Sequence, residues 1–231
     1  MDAVVIAAGE GRRLRPLTER WPKTLLPIEG RPVLATLLRE LAAAGFGEAT
    51  VVVGHLGDRV RAFVGDGSAF GLAVRYAEQP SPLGSADAVL QAVAAGARAP
   101  LLVSAADTVY RAGDVGKAAR EWTASGTAGG LGVRVAHGPE RTPVRAEEGR
   151  LIALGEGDGT GLAAAPLWFL GEELAGSLES LDGPPFELAA AFARALAAER
   201  EIAALALGPT RDLTRPMDVI LRNFPYLWTK Q

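Results

Sequence analysis

The sequence predicts an α/β fold, with a doubly wound, mainly parallel sheet in its first half and a mixed β insertion in its second. Over residues 2–105, short apolar runs alternate with amphipathic helical patterns, which is typical of parallel strands connected by helices on both faces. After Asp107, shorter strand-like runs are separated by glycine and proline turns. No repeat or low-complexity linker divides the 231 residues. We therefore expect one domain, residues 1–231, with halves at about 1–108 and 109–231.

The first half begins with the clearest strand and the clearest helix. Residues 2–8 are an almost unbroken apolar run, the pattern of a strand that is buried on both faces. A helix is predicted over residues 32–44, because Pro32 suits a first turn, several leucines share one face and Gly45 follows as a stop. The same patterns predict the other elements of this half: strands at 49–53, 72–76 and 101–105, and helices at 58–64 and 85–95.

The second half is predicted to contain short strands and two helices. Its strand-like runs lie at 133–135, 144–146, 151–154, 165–170 and 202–207, and its helical patterns at 187–200 and 216–223. Because glycine and proline turns separate the strands, we expect a mixed β insertion that packs on the parallel sheet and forms a wall of the substrate pocket. Trp168 and Phe169 are expected in the core.

The composition excludes several classes of partner and of active site. Twenty-seven acidic and 24 basic residues give a net charge of −3, so no bulk positive field attracts nucleic acid or an anionic membrane. The absence of cysteine rules out disulfides, thiol nucleophiles and cysteine-based zinc sites, and it fits a reducing cytosol. His55 and His137 are far apart in the sequence, which argues against a histidine metal centre, and both are expected to be bystanders.

No segment has the pattern of a membrane span or of a secretion signal. The longest nearly unbroken apolar stretch, residues 162–170, is much shorter than the roughly 20 residues that a membrane helix needs. The acidic start, and the glycine- and arginine-rich loop after the first apolar run, do not match a signal peptide. We therefore expect a cytoplasmic protein, a monomer or a homodimer, with neither nucleic acid nor a membrane as its partner.

The polar segments that follow the predicted strands indicate one binding site. In open parallel sheets, ligands bind beyond the carboxyl ends of the strands, near the point where the strand order reverses. Four polar or glycine-rich segments occupy such positions: residues 9–27, residues 78–85, Asp107, and residues 211–218. Because these ends meet at one edge of the sheet, the four segments are expected to lie close together.

The first of these segments indicates phosphate binding. Gly9 and Gly11 allow the backbone to approach a phosphate closely and to turn its N–H groups toward it. Four cations accompany them in the sequence: Arg12, Arg13, Arg15 and Lys23. Lys23 is one of only three lysines, which favours a role for a compact ammonium over the planar fork of arginine. The alternatives are a solvated basic loop and a dinucleotide-binding turn, although Leu14 stands where the third glycine of such a turn belongs.

The same loop resembles that of a known enzyme family. Residues 9–18 read Gly-Glu-Gly-Arg-Arg-Leu-Arg-Pro-Leu-Thr, and Pro-Lys-Thr-Leu-Leu-Pro follows at 22–27. This pattern closely resembles the signature of the sugar-1-phosphate nucleotidyltransferases, except that Arg12 replaces the family's threonine. The resemblance implies a Rossmann-like fold and an enzyme that joins a sugar 1-phosphate to an NTP, giving an NDP-sugar and pyrophosphate. No room is left for the repeat domain of longer relatives, so we expect no acetyltransferase activity on this chain.

The resemblance and the side-chain chemistry together give a candidate nucleotide site. Gln79 offers an amide donor and an amide acceptor to the edge of a nucleobase. Gly84 would let a base lie flat on the backbone, and Ser85 could cap a helix while it contacts the nucleotide. The nucleotide-binding residues that the resemblance implies are Ala7, Ala8, Gly9, Gly11, Arg13, Gln79, Gly84, Ser85 and Asp107.

The resemblance also implies a magnesium site and a set of catalytic residues. Asp107 and Asp212 resemble the two family aspartates that hold Mg²⁺, a cation that prefers a few carboxylate oxygens together with substrate phosphates and water. Arg13, Lys23 and Asp107 are the implied catalytic residues, with Lys23 at the phosphates of the reacting centre. Asp218 is expected to be only a carboxylate in the first turn of a helix.

One departure from the family pattern leaves the acceptor open. Family members often have Glu-Lys-Pro after the mixed strands, whereas this chain has Gly-Glu-Gly-Asp at 155–158, so only Glu156 remains as a candidate contact to the sugar phosphate. A cytidylyltransferase for a small phosphorylated alcohol, such as phosphocholine or inositol phosphate, is therefore an alternative. A nucleotide-binding regulatory subunit without catalysis is another, although Lys23, Asp107 and Asp212 argue against it.

Overall fold

The computed structural model describes residues 1–136, 141–155 and 161–224, and it confirms the predicted α/β class. Within these ranges the strands are β1 (Asp2–Ala7), β2 (Pro27–Ile28), β3 (Arg31–Pro32), β4 (Glu48–Val53), β5 (Ala73–Glu78), β6 (Leu101–Ala105), β7 (Thr108–Val109), β8 (Gly129–Val135), β9 (Pro143–Glu147), β10 (Arg150–Leu154), β11 (Leu162–Leu170), β12 (Ile202–Ala206) and β13 (Arg211–Asp212). The α-helices are α1 (Val33–Ala43), α2 (Gly57–Val64), α3 (Ser85–Ala94), α4 (Asp114–Ser125), α5 (Glu172–Gly176), α6 (Leu188–Ala197) and α7 (Pro216–Asn223). None of the described helices is both long and apolar enough to cross a bilayer.

Nine of the described strands form one mixed sheet, in the order β5-β4-β1-β6-β11-β8-β12-β10-β9. Strands β5, β4, β1 and β6 are parallel, whereas β11 runs antiparallel to both of its neighbours. The chain winds outward from β1 to β5 and then returns to place β6 on the other side of β1. The strand order therefore reverses between β1 and β6, and the crevice at their carboxyl ends is the expected ligand position.

The two faces of the sheet are covered by different helices. Along β1, Ala3 and Val5 face a core shared with α1, α2 and α4, while Val4 faces a core shared with α3 and α6. Because both faces are covered, the interior residues of this strand are buried, apart from the half-buried Ile6, which explains why the run at residues 2–8 is apolar without alternation.

The second half differs from expectation in two respects. Its mixed strands continue the same sheet beside the parallel strands, instead of packing on the face of the parallel part. The helix α4 was also not predicted. Its buried Val115, Ala118, Ala119 and Trp122 do stand at helical spacing, but three of its five buried residues are glycine or alanine, which mark a buried face only weakly. Its Trp122 packs against Phe169, with 5.3 Å between the ring centroids, so that one large side chain anchors a helix of small residues.

Tyr110 links two strands at the edge where β6 ends. Its hydroxyl donates to the carbonyl oxygen of Pro166 in β11 at 2.9 Å, and it also pairs with the Ser104 hydroxyl in β6 at 2.9 Å. Burial raises the pKa of Tyr110 well above its ordinary value, so the phenol keeps its proton at pH values at which an exposed tyrosine ionises. The buried hydroxyl of Tyr110 thus fixes the antiparallel strands β6 and β11 to each other close to Asp107.

We expect Tyr110→Phe to lower the free energy of unfolding by about 1–3 kcal/mol, because it leaves the half-buried carbonyl of Pro166 and the buried hydroxyl of Ser104 without this partner. Tyr76→Phe is the matched control. It removes a hydroxyl that donates to the Gly65 carbonyl at 2.7 Å in an exposed position, where water can replace it, and it should cost less than about 1 kcal/mol. Urea denaturation of both variants measures the difference, and equal losses would contradict the structural role of Tyr110.

Candidate active site

The loop after β1 is folded back on itself around Gly11. Gly11 has φ 62°, and a Cβ at this position would lie 2.9 Å from Thr18 Cγ2 and 3.1 Å from Lys23 Cβ. The Thr18 hydroxyl donates to the Gly11 carbonyl at 2.9 Å. Glycine is therefore required at position 11, both for the left-handed backbone and for the approach of Lys23. At Gly9 a Cβ would meet only open space, so the backbone there is accessible to a ligand.

His55 holds this loop against the end of β4. Its ring Nε2 lies 2.9 Å from the carbonyl oxygen of Thr18, and its backbone N–H donates to the carbonyl of Ala8 at 3.2 Å. His55 thus has a structural role that its isolated position in the sequence did not indicate. His137, the other histidine, lies outside the described residues.

The positive charge of the loop is partly offset within the loop. The Arg12 guanidinium hydrogen-bonds the Glu10 carboxylate, with Nε 2.7 Å from Oε2, and Arg15 lies 3.6 Å from the same oxygen. The bond from Arg12 holds the pKa of Glu10 below its ordinary value. Arg13 is exposed on the short turn at Arg12–Leu14. The loop thus carries less net positive charge than its row of arginines indicates.

Pairing between β7 and β13 brings the two predicted metal-binding aspartates together. The two short strands are antiparallel, and Asp212 lies opposite Thr108, the residue after Asp107. Lys23 reaches the same place from the first loop, with its Nζ 2.6 Å from Asp107 Oδ2. Residues from three distant parts of the sequence therefore meet at the carboxyl edge of β1 and β6, as the strand order requires.

Two arginines that sequence reasoning missed surround Asp212. Arg141 forms a two-bonded pair with its carboxylate, in which Nη2 donates to Oδ1 at 2.8 Å and Nη1 donates to Oδ2. Arg134, which is 8% exposed, places its Nη2 3.7 Å from Asp212 Oδ2 and donates to the Thr210 hydroxyl. Neither residue carries a local signal, because Arg134 in β8 and Arg141 just before β9 are far from Asp212 in the sequence and meet it only in the folded chain.

The charges around Asp212 determine its protonation. Burial on its own would raise the pKa of this carboxyl, but the hydrogen bonds from Arg141 and the positive charges of Arg141, Arg134 and Lys23 outweigh it and hold the pKa below its ordinary value. Asp212 is therefore an anion at neutral pH. Burial, followed by the neighbouring Arg141, lowers the pKa of Arg134, although a guanidinium keeps its charge in proteins.

The donor set is suitable for a hard divalent cation that also binds the substrate. Asp107 and Asp212 supply carboxylate oxygens, the ligand type that Mg²⁺ prefers. Among the described residues, no group of three or more histidine, cysteine, aspartate or glutamate side chains could hold a metal by itself. A cation at these two aspartates would thus need phosphate oxygens and water to complete its coordination, as Mg²⁺ usually does.

A second part of the site is a cavity of about 250 Å³ beside the loop. Its lining residues come from the ends of β1, β4 and β5 and from the segment after β5: Ala8, Glu10, Gly54, His55, Glu78, Gln79, Pro80 and Pro82. Gln79 is 7% exposed, and its Nε2 donates to the Gly84 carbonyl at 2.9 Å and to Asp87 Oδ2 at 2.7 Å. A larger cavity of about 600 Å³ opens at the opposite edge, near Met1 and Phe46, and contains none of the predicted site residues.

The local structure requires glycine at position 84 and uses the hydroxyl of Ser85, independently of any ligand. At Gly84, with φ 116°, a Cβ would overlap the backbone carbonyl of Phe186, so only glycine allows this contact. The Ser85 hydroxyl donates to Glu187 Oε2 at 2.5 Å and accepts from the Leu188 N–H at 2.9 Å. Ser85 therefore joins the first turns of α3 and α6, and its contact with a nucleotide stays a prediction.

The structure thus brings most of the predicted site residues to one edge of the sheet. Lys23, Asp107 and Asp212 form its centre, while the loop from Ala7 to Arg13 and the cavity at Gln79 flank it. Asp218 is a helix-capping carboxylate, as expected, because it accepts the N–H groups of Thr214 and Arg215 at 2.7 Å each. Glu156, the candidate contact to the sugar phosphate, lies outside the described residues.

Comparisons with known proteins agree with the resemblance of the first loop. The family model described as "Nucleotidyl transferase" matches residues 2–143. A glucose-1-phosphate thymidylyltransferase of Streptomyces griseus is 48% identical over 90 residues, which are 39% of this chain and 25% of the relative. An N-acetylmuramate alpha-1-phosphate uridylyltransferase of Neisseria meningitidis serogroup B is 37% identical over 110 residues, 47% of this chain and 48% of the relative. The chain thus matches between a quarter and about half of the length of these relatives.

The whole fold also has counterparts among solved structures. A UDP-glucose pyrophosphorylase complexed with UDP-glucose superposes with a TM-score of 0.80 at 17% identity, and the superposition covers 99% of both chains. At this identity the likeness concerns the fold, and it extends over the second half, which the sequence matches only in part.

We expect Asp212→Asn to lower the free energy of unfolding at pH 7 by roughly 1–3 kcal/mol, because it leaves Arg134 and Arg141 without their counter-charge. The loss is smaller than the 3–5 kcal/mol typical of a fully buried pair, since the Arg141 side chain is 22% exposed. Because the pKa of Asp212 is lowered on folding, its contribution is complete above the unfolded pKa of about 3.9 and is lost as the pH falls through the lower folded pKa.

The difference between the wild type and Asp212→Asn should therefore shrink when urea denaturation, without divalent metal, is repeated near pH 3. Glu121→Gln serves as the control, because Glu121 pairs at 3.6 Å with an exposed Lys117 and should change stability by less than about 0.5 kcal/mol. A loss at Asp212 that does not depend on pH would show that the charge pair is not its source.

Proposed function

The chain belongs to the nucleotidyl transferase family, and we propose that it transfers a nucleotidyl group from an NTP to a sugar 1-phosphate, giving an NDP-sugar and pyrophosphate. The observation that carries this proposal is the meeting of Asp107 and Asp212 with Lys23 and Arg141 beside the glycine loop. Such an arrangement of carboxylates and cations suits two anionic phosphates that must react with each other. The names of the similar relatives support the sugar 1-phosphate as acceptor.

The reaction proposed is an in-line displacement at the α-phosphorus of the NTP. A phosphate oxygen of the acceptor forms the new bond to phosphorus, and the bond between the α-phosphorus and its bridging oxygen breaks, so that pyrophosphate leaves with the electron pair. The acceptor phosphate is already ionised at neutral pH, since the second pKa of a phosphate monoester is about 6. No general base is therefore required, and catalysis consists mainly of alignment and charge neutralisation.

The cationic side chains and backbone amides of the loop have the main part in this mechanism. The N–H groups around Gly9 and Gly11, together with Arg13, are proposed to bind the triphosphate. Lys23, which extends into the site next to Asp107, is proposed to neutralise the phosphates at the reacting centre. Ala7 and Ala8, at the end of β1, would flank the nucleotide from the side of the sheet.

Asp107 and Asp212 are proposed to hold a divalent cation, Mg²⁺ in particular. When bound, Mg²⁺ offsets the negative charge of the phosphates and so helps to bring the two anions together. Lys23 pairs with Asp107 and Arg141 pairs with Asp212, so a cation at this place would share the two carboxylates with these side chains.

Other parts of the proposal rest on the sequence. Glu156 is proposed to contact the sugar phosphate, and Gln79, Gly84 and Ser85 to line the nucleobase site. A single domain in two halves, a cytoplasmic location and a monomeric or homodimeric state stay predictions.

We expect Asp107→Asn to reduce the rate of pyrophosphate release by about 100-fold or more, as the loss of a key electrostatic stabiliser does in other enzymes. Asp66→Asn is the control, because the Asp66 carboxylate bonds only to the neighbouring Ser68 on an exposed turn at the opposite edge of the sheet. It should keep the wild-type rate. Normal turnover in Asp107→Asn would remove this residue from the mechanism.

The function itself is tested by a coupled assay of pyrophosphate release with Mg²⁺ and with EDTA. Four NTPs are crossed with sugar 1-phosphates, phosphocholine and inositol phosphate. Product from a sugar 1-phosphate, abolished by EDTA, is the expected result. Product from phosphocholine or inositol phosphate alone would show that the acceptor is a small phosphorylated alcohol and not a sugar 1-phosphate. Nucleotide binding in calorimetry with no product from any acceptor would favour a regulatory subunit.

A further inference from the structure

We propose that Asp87 determines which nucleobases the site accepts, by fixing the amide of Gln79 so that an acceptor faces the base. The site then takes a base whose ring nitrogen carries a proton, namely uracil, thymine or guanine, and disfavours cytosine and adenine. This inference rests on the proposed function, since it requires that the cavity beside Gln79 holds the nucleobase.

The position of this cavity relative to the loop supports the assignment of the base. It opens at the carboxyl ends of β1, β4 and β5, and its walls include Ala8, just before the glycine loop, and Gly54, just after β4. A nucleotide with its phosphates on the loop and near Lys23 therefore has its base within reach of Gln79.

The orientation of the Gln79 amide follows from its hydrogen bonds. The nitrogen Nε2 has two protons, and two acceptors, the Gly84 carbonyl at 2.9 Å and Asp87 Oδ2 at 2.7 Å, take both of them. A reversed amide would place Oε1 against these two oxygens, which is unfavourable for a residue that is 7% exposed. Oε1 is therefore the atom that faces the cavity, and no donor within the described ranges occupies it.

Asp87 contributes most to this choice because it is the charged acceptor of the two. A hydrogen bond to an ionised acceptor is about twice as strong as one between neutral groups. Asp87 has one further contact, with Gln91 one helical turn along α3, whose Nε2 lies at the longer distance of 3.4 Å from Asp87 Oδ1. The Gly84 carbonyl alone would hold only one of the two protons, and the amide would then have the freedom to turn.

An acceptor at this position distinguishes the bases by their central ring nitrogen. Uracil and thymine have a proton on N3 and guanine has one on N1, so each can donate to Gln79 Oε1. Cytosine N3 and adenine N1 carry a lone pair, which repels that oxygen. They could offer only the neighbouring amino group, with the bare nitrogen still close to Oε1. A correct hydrogen-bonding match of this kind changes affinity by about tenfold to a hundredfold.

The test measures the binding of UTP, dTTP, GTP, CTP and ATP by titration calorimetry with Mg²⁺ and without acceptor. For the wild type, at least one of UTP, dTTP and GTP should bind about tenfold or more tightly than both CTP and ATP. Asp87→Ala should reduce this ratio about tenfold, because the amide of Gln79 can then present Nε2 to the base. Asp87→Asn should keep most of the ratio, since its carbonyl oxygen can still accept from Nε2.

Gln91→Ala is the matched control, because Gln91 contacts Asp87 but not Gln79. Its ratio of affinities, for the best of UTP, dTTP and GTP relative to CTP and ATP, should stay at the wild-type value. Circular dichroism melts check that each variant is folded, and Asp87→Ser replaces Asp87→Ala if the latter is not. The inference is overturned if the wild type binds CTP or ATP as tightly as the best of UTP, dTTP and GTP. It is also overturned if a folded Asp87→Ala or Asp87→Ser variant keeps the wild-type ratio of affinities. A wild type that binds none of the five nucleotides refutes the proposed function, and this inference with it.

Discussion

Two carboxylates and three cations share one edge of the sheet, and their mutual compensation is the condition on which the site depends. Each of the two aspartates has a cation as its direct partner: Lys23 pairs with Asp107, and Arg141 pairs with Asp212. Arg134 adds a second positive charge near Asp212, whose pKa these charges hold below its ordinary value. The centre is therefore an arranged set of full charges, which suits a reaction between anions.

The backbone around this centre is rigid for identifiable reasons. Gly11 permits the turn that brings the loop against Lys23, and Thr18 and His55 fix that turn by hydrogen bonds to main-chain oxygens. Tyr110 joins β6 to β11 directly behind Asp107. Arg134 and Asp212 extend from strands, Asp107 and Arg141 lie next to strand ends, and Lys23 lies on the pinned loop. In the proposed reaction these side chains therefore need little reorganisation, and such preorganisation is a large part of electrostatic catalysis.

The sequence was sufficient to predict the parallel half, because its strands and helices carry strong local patterns. Each strand and helix predicted from the sequence has a counterpart; β1 is one residue shorter than predicted, and α1 is one residue shorter at each end. The helix α4 was missed because glycine and alanine make up much of its buried face. The extension of the sheet by the mixed strands depends on which edges pair, and that information is not local.

The site shows the same division between local and non-local signals. Gly11, Lys23 and Asp107 lie in segments whose composition or family resemblance marks them. By contrast, Arg134, Arg141 and Asp87 have no such signal, since each is defined by a partner: Asp212 for the two arginines and the amide of Gln79 for Asp87. The residues that shape the charge and the hydrogen-bond polarity of a site are thus found only when the fold shows what they contact.

In the proposed function the two halves contribute to different parts of the site. The cavity proposed for the base is lined by residues of the parallel half, although Phe186 and Glu187 of the second half contact Gly84 and Ser85 beside it. The charged centre is shared, since Lys23 and Asp107 come from the first half and Arg141 and Asp212 from the second. The pairing of β13 with β7 joins these contributions at the aspartates. In the proposed function the choice of base and the transfer step are therefore separable, and a change on α3 alters the first without touching a charge that serves the second.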